Sequence, residues 1–94
     1  MNKRQVNSIK KLIAYNRNII KQGGGYYLPS DYQTAALKAL FAASLNRLGF
    51  RYVEKFRSYL NEIDAANRNQ VSAFNATEKQ LAAIEKALTV CGIA

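Results

Sequence analysis

The chain has 94 residues, 49% of them hydrophobic, which is enough for one domain with one core and too apolar for a disordered polymer. Its formal charge is +8, with a single cysteine and no histidine. No apolar run is long enough to span a bilayer, no secretory leader pattern opens the chain, and the lone Cys91 rules out an internal disulfide; together these fit a reducing cytoplasm.

The periodicity predicts a first helix over residues 3–22. Val6, Ile9, Leu12, Ile13, Ile19 and Ile20 fall on one face at 100° per residue. Lys3, Lys10, Arg17 and Lys21 gather on the opposite side, within about 40° of one another by the same period. Residues 1–22 also carry Arg4 and Lys11, and they contain no acid. Three quarters of the net charge therefore lies in the first quarter of the chain. A field this one-sided calls for an anionic partner.

Residues 23–29 form a glycine-rich joint. Gly23 is the natural cap of the first helix, and Gly24 and Gly25 leave the backbone with little preference. Tyr26 and Tyr27 are expected to pack over the end of the core. Ser30 and Gln33 make a capping box that starts a second helix over residues 31–48, with Asp31 at the positive end of its dipole. Leu37, Leu40, Phe41, Leu45 and Leu48 run along it, and Ala35, Ala36, Ala39, Ala42 and Ala43 cover most of the remaining surface. Apolar nearly all round, this helix is expected to lie at the centre, with Leu40 and Phe41 buried. Gly49 is expected to stop it in a left-handed cap that folds Phe50 back on Leu45.

A third helix is predicted over residues 51–67. Its core stripe is Val53, Phe56, Leu60 and Ile63, with Tyr52 and Tyr59 at the margin beside Arg51 and Lys55. Asp64 and Arg68 are spaced to pair. Residues 68–76 form a connection that Val71 and Phe74 are expected to pin to the core. Thr77 and Gln80 make a second capping box for a fourth helix over residues 78–91, with Leu81, Ile84, Leu88 and Cys91 on one face. Gly92 ends it, and Ile93 folds onto Leu88. No segment alternates as a strand does. The expected fold is all-α: a single domain over residues 1–94, with four helices around an alanine-rich central one.

Catalytic chemistry has little to work with. The commonest general base and metal ligand, histidine, is missing. Asp31 and Glu78 stand at helix starts, Glu54, Glu62 and Glu85 on polar helix faces, and no two acids are spaced to share a cleft. Cys91 lies on an apolar face. The triglycine follows no strand and precedes no lysine-serine pair, so it is not a phosphate loop. No enzyme activity, metal or cofactor is expected. A helix-turn-helix centred on Gly49 fails at Leu45, Lys55 and Ser58, where the pattern needs a small residue and two apolar ones.

The basic helix carries the functional expectation. Its stripe from Lys3 to Lys21 is about 27 Å long, enough to meet several phosphates. The expected function is a small nucleic-acid-binding accessory protein, for DNA or RNA, with little sequence readout. Lys3, Arg4, Lys10, Lys11, Arg17 and Lys21 would make the contacts, with Arg51 and Lys55 beside them and Asn7 and Asn18 adding hydrogen bonds. Tyr52 and Tyr59 offer a stacking edge for unpaired bases, though core margins commonly carry such tyrosines. The alternative is a regulator or inhibitor, of phage or mobile-element type, that docks its basic helix on an acidic protein surface. That reading asks Tyr15, Ile19 and Ile20 to be exposed.

Overall fold

In a computed structural model of the chain, which describes residues 1–69, 71 and 74–93, helix α1 spans Lys3–Lys21. Asn2 caps it in a box with Gln5: the Asn2 side chain accepts the Gln5 N–H at 2.8 Å, and the Gln5 side chain accepts the Asn2 N–H at 2.9 Å. At its far end the Gly23 N–H donates to the Ile20 carbonyl and the Gly24 N–H to the Ile19 carbonyl. This closing pair of bonds needs left-handed backbone, and Gly23 (φ 93°) and Gly24 (φ 106°) both supply it.

The joint then runs back alongside α1. Tyr27 stacks on Tyr15 with ring centroids 5.6 Å apart, and the Arg4 guanidinium lies 5.0 Å from the Tyr32 ring centroid. The chain thus returns from one end of α1 towards the other before helix α2 (Asp31–Ser44) begins. Tyr27 is half-buried and its hydroxyl donates to Gln33; Tyr26 is exposed. The expected Ser30–Gln33 capping box is present.

Helix α2 ends at Ser44, four residues earlier than expected, and residues 45–48 form a turn. Gly49 is not left-handed. It precedes helix α3 (Phe50–Asn69), and its carbonyl accepts the Val53 N–H at the start of that helix. Phe50 does not fold back on Leu45: Phe50 is 76% exposed and Leu45 39%. The turn supplies the chain reversal, so no left-handed cap is needed. Helix α2 touches all three other helices, but only through Ala36, Leu37, Leu40 and neighbouring side chains. Ala35, Ala39, Ala42 and Ala43 face solvent. Alanine is a strong helix former whether buried or not, so an alanine-rich face does not by itself imply a covered one.

Helix α4 (Glu78–Val90) opens on the Thr77–Gln80 capping box and closes at Gly92 (φ 73°), with the Ile93 N–H donating to the Leu88 carbonyl. The element contacts form a ring: α1 against α2, α2 against α3, α3 against α4, and α4 against α1, with α2 and α4 also meeting across the middle. Helices α1 and α3 occupy opposite corners. No helix is long and apolar enough to cross a membrane among the described residues.

Ile9, Leu12, Leu37, Leu40, Phe56, Ile63, Leu81 and Ile84 form the centre of the core. Phe41 is only half-buried; it meets Phe56 edge-on at 5.1 Å and is covered by the Arg57 guanidinium. Two buried amides tie the loops down. Asn16 donates to the Leu12 carbonyl and accepts the Ala76 N–H at 2.8 Å, fixing the entry to α4 against α1. Gln80 donates to Ser58 and Glu62, fixing α4 against α3. Phe74 pins the connection between α3 and α4, with backbone bonds to Gly25 and Tyr27 in a single bridge. Val71 is exposed and pins nothing, while Gln70, Ser72 and Ala73 of that connection lie outside the described residues. Asp64 lies 3.6 Å from Lys38 of α2 in place of the expected partner Arg68.

Tyr59 is fully buried and stacked on Phe74; its hydroxyl lies near the Asn16 amide, which is already engaged with the Leu12 carbonyl and the Ala76 N–H, and makes no well-formed hydrogen bond among the described residues. Burial pushes the phenol pKa above its ordinary value of 10.0. Tyr59→Phe keeps the ring and deletes the unpartnered group. It should stabilise the domain by about 1 kcal/mol, read as a Tm gain of roughly 4–8 °C. A folded-state pKa raised above the unfolded one gives stability that is fully present below the unfolded value and lost as pH rises through the folded value. Wild type should therefore lose stability faster than Tyr59→Phe above about pH 10. A lower Tm for the variant would contradict this.

Candidate nucleic-acid interface

Helix α1 presents three faces. Its apolar side, Val6, Ile9, Leu12 and Ile13, is buried. Its outward side carries Arg4, Asn7, Lys11 and Asn18, all exposed. Between them runs the stripe read from the period, Lys3, Lys10, Arg17 and Lys21, of which Lys10 and Arg17 line the groove against α4. The structure divides that stripe.

Arg17 is not available to a ligand in the way its neighbours are. Its guanidinium donates to both carboxylates that α4 turns towards it, at 2.7 Å to Glu78 and 2.5 Å to Glu85. Hydrogen bonds to Glu85 and then Glu78 push its pKa further up, so the group is held as a cation already paired twice. All three side chains are at least a third exposed, so solvent keeps each pair to about 1 kcal/mol or less. Chain order hid this pairing, because the acids are contributed by a helix more than sixty residues away. Residues 1–22 carry no acid, but the folded edge of α1 mixes signs.

Lys10 is exposed along the same α1–α4 groove, beside Ile13, Leu88 and Thr89, with Glu85 on the opposite wall. Lys21 is exposed in the last turn, where its charge complements the helix dipole. Lys3, Arg4 and Lys11 converge with Asn7 and Ser8 on one shallow groove at the start of α1, and no acid among the described residues lines it. Two of these cations stand in the first turn, which contains no acidic residue. Positive charge there opposes the dipole and costs the helix a few tenths of a kcal/mol, where an ordinary helix would carry Asp or Glu. The groove therefore combines three cations, two polar side chains and the positive end of a helix.

Arg51 and Lys55 do not join this surface. They lie on α3, at the opposite corner of the bundle, in a second groove with Tyr52, Glu54 and Lys79 of α4. Tyr52 is 39% exposed and its ring is accessible at that groove. Tyr59 is not: buried at 0% exposure, it offers no stacking surface, because its position on α3 turns it inward between α1 and the Phe74 connection. A tyrosine at the margin of a stripe is assigned to solvent or core only by what packs over it, and that was not legible from α3 alone. Lys79 was missed because it sits beside the capping box of α4, where Thr77 and Gln80 accounted for the local pattern. Cys91 is half-buried, 3.6 Å from Arg47.

No family model, curated protein or solved structure matches this chain.

Proposed function

We propose that this is a small nucleic-acid-binding accessory protein of the cytoplasm that acts by binding and not by catalysis, contacting phosphates through the outward face of α1. The observation that carries this reading is the acid-free groove of Lys3, Arg4 and Lys11 with Asn7 and Ser8 at the positive end of a helix of 19 residues. Each of these cations reaches solvent and has no carboxylate partner among the described residues. Cations clustered near the positive end of a helix are one means by which proteins hold phosphate oxygens. Lys10 and Lys21 extend the field along the helix, while Arg17 serves the α1–α4 contact.

The burial of α1 supports this reading over a protein-docking helix. Ile20 packs against the core and Ile19 is half-buried, so the apolar residues that such docking would use are largely occupied. Tyr15 is exposed but stacked on Tyr27.

Phosphate contacts position a protein without reading bases. Two duplexes of unrelated sequence should therefore bind with dissociation constants of about 10⁻⁴–10⁻⁶ M at physiological salt and within a few-fold of each other, as a gel-shift titration would record. Affinity for DNA and RNA weaker than about 10⁻⁴ M, together with stable capture of one acidic protein, would replace this reading with the docking one.

A further inference from the structure

We infer that the protein holds two nucleic-acid segments at once and so bridges them, one on the outward face of α1 and the other in the groove between α3 and α4; this rests on the phosphate-binding reading above. The second groove brings Arg51 and Lys55 of α3 together with Lys79 of α4, with Glu54 the one acid among the described residues that lines it. All three cations are exposed, and none has a carboxylate partner among the described residues. Two helices have thus placed like charges side by side at a self-repulsion cost that a polyanion would relieve. Tyr52 adds an accessible ring on which an unpaired base at a strand end can stack.

Geometry separates this groove from the first. Helices α1 and α3 stand at opposite corners and make no close backbone approach. The body measures 34 × 22 × 20 Å. The backbones of α1 and α3 stay more than 8 Å apart, at least the Debye length of about 8 Å at physiological salt, so a polyanion on the α1 face leaves the field at Arg51 and Lys55 largely unneutralised. A single duplex cannot serve both sides, because its persistence length of about 150 base pairs forbids wrapping a body this narrow. Two segments can, each meeting one corner.

The test uses the full chain with a short biotinylated duplex on beads and an unlinked fluorescent duplex in solution, at about 0.1 M salt. Wild type should bind the beads and retain the fluorescent duplex. Arg51→Gln/Lys55→Gln/Lys79→Gln should still bind the beads but lose about tenfold or more of the fluorescent capture, as removal of three phosphate contacts requires. Lys38→Gln/Arg57→Gln/Arg68→Gln, which removes the same charge elsewhere, should keep it. Bridging is overturned if wild type binds the beads without capturing the second duplex, if the groove variant captures as much as wild type, or if the charge-matched control loses as much as the groove variant. Wild type that fails to bind the beads at all overturns the phosphate-binding reading and bridging with it.

Discussion

Phe56→Ala should destabilise the domain by about 3–5 kcal/mol, and Phe41→Ala by less than half of that. Phe56 is fully buried from α3 into the middle of the ring, where its loss leaves a cavity that the surrounding side chains can only partly fill. Phe41 lies at the rim, half-buried, with Arg57 over its face, so truncation there opens on solvent and the guanidinium stem can settle inward. The total stability of a domain this size is on the order of 5–15 kcal/mol. A loss of 3–5 kcal/mol corresponds to a fall in Tm of roughly 12 °C or more, and leaves little folded protein at physiological temperature if the starting value is low. Thermal melts followed by circular dichroism distinguish the two variants directly. Equal shifts for Phe41→Ala and Phe56→Ala would mean that Phe41 belongs to the centre of the core as much as Phe56 does, contrary to its place at the rim.

The second large effect is functional. Lys3→Gln/Arg4→Gln/Lys11→Gln should cost roughly several hundredfold in affinity for duplex at about 0.1 M salt, since three phosphate contacts each contribute close to one power of ten at that concentration. The fold should survive it. All three side chains are exposed, and the stacking of Arg4 over Tyr32, which the substitution removes, is worth about 0.5–1 kcal/mol. Relief of two positive charges in the first turn of α1 offsets part of that. Arg17→Gln should do the reverse: a modest loss of stability as Glu78 and Glu85 lose their partner, with little change in affinity. A variant set that included Arg17 would confuse the two roles.

Helix boundaries were the most legible part of the chain. The Ser30–Gln33 and Thr77–Gln80 boxes and the stops at Gly23 and Gly92 are local chemistry, complete within six residues, and all four occur where the sequence puts them. Asn2 and Gln5 follow the same grammar at the start of α1, with asparagine in place of serine or threonine. Gly49 misled because a glycine after an apolar run fits either end of a helix, and here it begins one. What depends on partners from distant segments was not legible. Arg17 and the two glutamates, Tyr59 beneath Phe74, and Lys79 beside Arg51 and Lys55 are set by the ring order of the helices, which periodicity within one helix cannot supply. Asn16 is the same case in the core: by period it falls on the apolar face of α1, and only the Ala76 N–H explains why an amide is buried there.

The slope of log affinity against log salt, measured on a duplex of arbitrary sequence between about 50 and 200 mM, bears most directly on the central claim. Wild type should give a slope of about −3 or steeper, and Lys3→Gln/Arg4→Gln/Lys11→Gln should flatten it by about 2.7, because each neutralised phosphate contributes about −0.9. A wild-type slope near zero, or one that the triple substitution leaves unchanged, would contradict the assignment of phosphate binding to the outward face of α1.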